Sequence, residues 1–90
     1  MKVKNIRYHP AFIKDIQRLS KEEQTRAIKT AELFQSNPLH PSLRLHALKG
    51  KLVGSWSISV TMKIRIIFKR VEDGGVVFYS IGRHDIYQAQ

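Results

Sequence analysis

Ninety residues, 42% of them hydrophobic, suffice for one modest core and a single domain over 1–90, with little room to enclose a cofactor. The absence of cysteine excludes a disulfide framework, a thiolate metal site and a cysteine nucleophile. Sixteen basic side chains against seven acidic ones, a formal charge of +9, point to a polyanionic partner: nucleic acid, an anionic membrane surface or an acidic protein.

The apolar runs are too short to span a membrane, and Met1 to Lys4 leads into no apolar signal segment, so a cytoplasmic protein is expected. Its basic residues do not gather on one face of an apolar helix, which argues against a membrane surface as the partner.

In chain order, Lys2 to Tyr8 reads as a short strand ended by His9-Pro10. Proline suits a first helical turn, and Phe12, Ile16 and Leu19 then recur at helical spacing. Ser20-Lys21-Glu22-Glu23 matches a capping box and opens a second helix at once. Ala27, Ile28, Ala31 and Phe34 are its expected apolar stripe, and Asn37-Pro38 with Pro41 should stop it.

From Leu45 the period changes. Leu45, Leu48 and Leu52, broken by Gly50 and Gly54, predict a short strand or ordered loop. Trp56, Ile58 and Val60 alternate with Ser55, Ser57 and Ser59, so one face is core and the other small and polar. Ile64, Ile66 and Phe68 point one way, and Lys63, Arg65, Ile67 and Lys69 the other. Glu72-Asp73-Gly74-Gly75 reads as a hairpin turn before Val76 to Ile81, apolar nearly throughout and therefore expected at the centre of a sheet, with Gly82 ending it. The expected order is β-α-α-β-β-β, an α+β domain with a helical hairpin packed on a twisted antiparallel sheet.

Charge sharpens the functional reading. Between Glu32 and Glu72 there is no carboxylate, while Arg44, Lys49, Lys51, Lys63, Arg65, Lys69 and Arg70 all fall in that window. The four histidines lack the spacing of a metal site, so no metal and no cofactor is expected. The serines at 55, 57 and 59 lack the setting of a nucleophile elbow.

The frame LHALKGKLVGSWSISV, the strand arginine of KIRIIF and the terminal IGRHDIY together resemble the RelE/ParE superfamily of bacterial toxins, most closely the RelE/YafQ-like mRNA endonucleases. That resemblance implies a ribosome-dependent, metal-independent RNA cleavage that blocks translation, and a cognate antitoxin as partner besides ribosome and mRNA. It further implies roles for particular residues. His84 and His46 correspond to active-site histidines, Arg65 to the arginine against the scissile phosphate, and Tyr87 to a catalytic or base-stacking aromatic. Lys49 and Lys51 stand at basic positions of the family, and Lys63, Lys69 and Arg83 add to the phosphate-binding surface. The sequence departs from the YafQ-like pattern at Lys63, where those members carry aspartate, and has two rather than three residues between His84 and Tyr87. Two other readings belong to the same likeness: a ParE-like inhibitor of DNA gyrase, and a toxin homologue without activity that serves as a binding module.

These residue types fit the chemistry. Cleavage without a metal needs a base for the 2′-hydroxyl, a cation for the phosphate and an acid for the leaving oxygen. Histidine can do the first and last near neutrality, and arginine offers a planar fork to phosphate oxygens. Trp56, in phase with Ile58 and Val60, is expected in the core. His9 and His40 are expected to play no part in the chemistry.

Overall fold

The computed structural model describes residues 1–83. Two helices lie on one face of a five-stranded sheet. The elements are β1 (Ile6–Tyr8), α1 (Pro10–Gln17), α2 (Lys21–Ser36), β2 (His46–Ala47), β3 (Trp56–Ser59), β4 (Ile64–Arg70) and β5 (Val76–Arg83), with 3₁₀ turns at Pro41–Leu43 and Gly50–Leu52. The α+β class and the helical hairpin on a sheet follow the expectation.

The helices start where the caps dictate. His9 caps α1 through Nδ1, which accepts from the Ala11 amide at 3.0 Å, and Pro10 occupies the first turn. At α2 the capping box is complete: Ser20 Oγ accepts from the Glu23 amide at 3.1 Å, and Glu23 Oε1 accepts from the Ser20 amide at 2.9 Å. Asn37 closes α2. Ile28 does not join the apolar stripe; it is 59% exposed. It follows Ala27 by one residue and is therefore rotated off the line through Ala27, Ala31 and Phe34.

The sheet order is β1-β5-β4-β3-β2. All neighbours are antiparallel except β1, which lies parallel to β5, so the sheet is mixed rather than wholly antiparallel. Only Ile6 to Tyr8 of the expected first strand pairs in this way. Flanking amides extend the junction: Lys4 donates to the Gly74 carbonyl and His9 to the Phe78 carbonyl, each at 3.0 Å. β5 is thereby enclosed on both edges, which accounts for its apolar content. It also continues through Gly82 to Arg83, where the sequence suggested an end.

Under the helices the core is an aromatic cluster. Phe34 lies 4.9 Å from Phe68, and Phe12 lies 5.5 Å from Phe78, between ring centres, distances at which aromatic pairs attract. Ile58, Ile64, Ile66, Val76 and Ile81 complete it, with Trp56 packed at its margin. One irregularity shapes the opposite face. Ile67 pairs with Ser80, yet Phe68 pairs with Phe78. Tyr79 is the extra residue of a β-bulge, and the alternation of β5 changes phase across it.

Candidate functional site

Cross-strand partners share a face, so the register defines the surface away from the helices. One row runs His46, Ser57, Ile67, Ser80; a second runs Ser59, Arg65, Gly82; a third runs Lys69, Val77, Arg7. Ser57, Ser59 and Ser80 are buried, short side chains sunk between longer neighbours, and Ile67 is 2% exposed without belonging to the core beneath the helices.

Arg65 stands in the middle of this face. Its guanidinium donates to Ser59 Oγ and, at 3.5 Å, to the Thr61 carbonyl. Thr61 in turn shapes the β3–β4 connection, its Oγ1 accepting from the amides of Lys63 and Ile64 at 3.1 and 3.0 Å. Both of Arg65's partners among the described residues are neutral oxygens. Among the described residues the ion pairs are Arg7–Asp73 and Arg83–Glu23. Arg65 is thus aimed by hydrogen bonds and meets no carboxylate among the described residues. The residue beside it on β5 is Gly82, which has no side chain to obstruct a close approach.

His46 lies on the same face. Its Nδ1 is 3.0 Å from the Arg44 carbonyl, an acceptor, so Nδ1 is the donor, and in the neutral ring Nε2 is the nitrogen that can accept. Arg44 holds that carbonyl in place from a left-handed conformation, φ 49°, the one non-glycine residue with positive φ among those described. His46 is separated from Arg65 by one strand and two residues along it, a backbone distance of about 12 Å at ordinary sheet spacings. Two such side chains can reach opposite sides of one phosphodiester group.

The other expected residues divide. Lys51 and Lys69 come together, lining a cleft of about 240 Å³ with Leu52, Val53, Ser55, Ile67 and Tyr79. Lys49 is exposed just before the second 3₁₀ turn, and Lys63 is exposed in the β3–β4 connection. Arg83 does not join them. It is paired with Ile64, a core position, so it faces the helix side, and it meets Glu23 at 3.4 Å. The phase change at the bulge is the reason. His84 and Tyr87, with Asp85, lie outside the described residues.

Trp56 packs against the core as expected. His9 and His40 are both helix caps, His40 Nδ1 accepting from the Ser42 amide at 3.1 Å. Alternation placed Ser59 on the polar face without disclosing that it aims Arg65; Thr61 and Tyr79 were missed as members of the open face. The signal for Tyr79 is the spacing of Phe78 and Ile81, which cannot both face the core in a regular strand. Among the described residues no three histidine or carboxylate side chains could hold a metal ion, and no helix is long and apolar enough to cross a membrane.

No protein-family model matches the chain, and no curated protein matches it significantly. Solved structures do match in fold. YafQ from E. coli strain BL21(DE3) is 22% identical, with a TM-score of 0.76 over 91% of this chain and 94% of that one. The YafQ-containing DinJ-YafQ toxin-antitoxin complex of E. coli gives 21% identity and a TM-score of 0.73 over 96% and 97% of the two chains. A YoeB/ParE toxin from Agrobacterium tumefaciens gives 17% identity and a TM-score of 0.72 over 93% and 99%. The fold is therefore RelE-like, the one shared by the YafQ and YoeB/ParE toxins.

Proposed function

We propose that this chain is the toxin of a type II toxin–antitoxin pair, and that it acts as an endoribonuclease on mRNA in the ribosome. The observation that carries the reading is Arg65: a cation on the open face, aimed by Ser59 and the Thr61 carbonyl, flanked by a bare glycine position and free of any carboxylate among the described residues. Such a group suits the charge that grows on a phosphate during cleavage. His46, with Nε2 available as an acceptor, takes the proton of the 2′-hydroxyl. His84 protonates the departing 5′-oxygen, and Tyr87 stacks on a base or orients His84. Lys49, Lys51, Lys63 and Lys69 supply the field that draws the strand in.

The partner is an acidic or amphipathic antitoxin that covers the basic face. The likeness to a chain crystallised as part of a toxin–antitoxin complex supports this assignment.

Inducing the chain in bacteria and mapping message ends, beside a DNA supercoiling assay, tests the reading. Cut messages with unaffected supercoiling are expected. His46→Ala should slow cleavage by about 10²-fold or more. Intact messages with inhibited gyrase would transfer the chain to the ParE-like reading.

A further inference from the structure

The cleft at the Lys69 end of the open face has a composition that phosphate binding alone does not require. It is lined by the buried Ile67 and Ser55 and by Leu52, Val53 and Tyr79. Lys51 and Lys69 also line it. The Lys69 ammonium lies 5.3 Å from the centre of the Tyr79 ring. On β1's side of Tyr79 the His9 ring is 5.1 Å away and tilted by 33°. His9 is fixed there because its Nδ1 caps α1, so Tyr79 has a rigid backing. The bulge puts the tyrosine on this face at all, and its ring is half-buried rather than extended into solvent.

We infer that this cleft is a nucleobase subsite: a base flanking the cut lies on the Tyr79 ring beside Leu52 and Val53, with Lys51 and Lys69 on the adjoining phosphate. This rests on the RNA-cleaving reading and adds to it a second binding point. Three features support it. An aromatic face with an apolar wall binds any base by stacking, and lysines beside it match the alternation of base and phosphate along a single strand. The volume, about 240 Å³, falls below that of pockets enclosing a whole drug-sized ligand and suits one base. Lys69 and Arg65 are four residues apart on β4, about 13 Å along a strand, so the subsite is displaced from the scissile phosphate and does not compete with it. The lysine resting on the ring is an exposed cation held by a weak contact. It can swing onto the phosphate when a base takes its place.

The test is a mutant cycle on programmed ribosomes, read as single-turnover cleavage of a message in which an abasic nucleotide replaces, in turn, each residue flanking the cut. At one position the abasic message should be cut about tenfold more slowly by the parent, Tyr79→Ala should cut the intact message about tenfold more slowly, and the combination should be no worse than either alone. Tyr79→Phe should restore the parent rate, which a role for the hydroxyl would not allow. Lys69→Ala should reduce the salt dependence of binding by roughly 0.7 in log–log slope, the share of one phosphate on a single strand. If the parent cuts and the two losses multiply at every position, the subsite is overturned while the cleavage reading stands. If the parent cuts nothing on any ribosome, the cleavage reading fails and the subsite falls with it.

Discussion

On the helix-covered face of the sheet, Ile58, Ile64, Ile66, Phe68, Val76 and Phe78 are closed over by Phe12, Ala27 and Phe34. On the open face the same strands carry Ser57, Ser59, Arg65, Lys69 and Ser80, and Ile67 is the buried apolar member. The first set works by volume. Its side chains have no polar atoms to place, and any arrangement that fills the space under two helices will do. The second works by the position of individual atoms, such as the Ser59 oxygen and the Thr61 carbonyl that aim one guanidinium. Substitutions on the two faces should therefore fail in different assays.

The largest expected effect is on the covered face. Phe78 is fully buried and touches the rings of Tyr8, Phe12, Phe34 and Phe68. Phe78→Ala should cost about 3–5 kcal/mol in denaturant unfolding, enough to leave a domain of this size marginal. A cost below about 1 kcal/mol would mean that the two layers are not closed as described. Next comes Arg65→Ala, with cleavage reduced by about 10²–10³-fold and the unfolding midpoint nearly unchanged. Arg65→Lys should recover little, because an ammonium cannot hold both neutral acceptors and a phosphate in one plane. A variant that unfolds as readily as Phe78→Ala would make Arg65 a structural residue. Smaller still is Ser20→Ala, which removes one half of the capping box and should cost about 1 kcal/mol without altering cleavage by the folded fraction.

The contrast also explains what the sequence disclosed. Regular alternation at Trp56 to Val60 and Ile64 to Phe68 separated core from open face, and the capping box marked the start of α2, because both signals depend on neighbours in sequence. Three features depended on partners far along the chain. The parallel pairing of β1 with β5 joins residues some seventy positions apart (Ile6 with Val76), and nothing in Ile6 to Tyr8 announces its direction. The bulge at Tyr79 turned Arg83 toward Glu23 and Tyr79 toward Lys69, so a basic residue counted with the site left it and an aromatic one joined. Ile28 was misplaced by a single residue of helical rotation. At the candidate site, Arg65 and His46 could be assigned to the polar face from alternation and resemblance. The acceptors that aim them, Ser59, Thr61 and the Arg44 carbonyl, required the register and the turn.

The smallest expected effect concerns acid, and it separates the edges of the two faces. The Gly75 amide, bonded to Asp73 Oδ1, together with the nearby Arg7 and Lys4, holds the Asp73 carboxyl below its ordinary value of 3.8. The Ser20 amide and hydroxyl, with Arg83, hold Glu23 below its ordinary 4.5. In both cases folding favours the charged form. The unfolded chain therefore binds more protons than the folded one, and the stabilisation is present in full above the ordinary values. It is lost as pH falls through the lowered, folded-state values. Both groups are solvent-accessible, so the effect should be slight and should shrink with added salt. Asp73→Asn keeps an acceptor for the Gly75 amide, and Glu23→Gln keeps one for Ser20, so each variant removes charge without removing the turn or the cap. Urea midpoints measured from pH 6 down to pH 3 should fall less steeply in the double variant than in the parent. Asp73→Asn alone reports the Arg7 side of the open face, and Glu23→Gln alone the Arg83 side beneath the helices. If the double variant and the parent decline in parallel, the acid sensitivity of the chain lies elsewhere, and neither pair fastens its edge of the sheet.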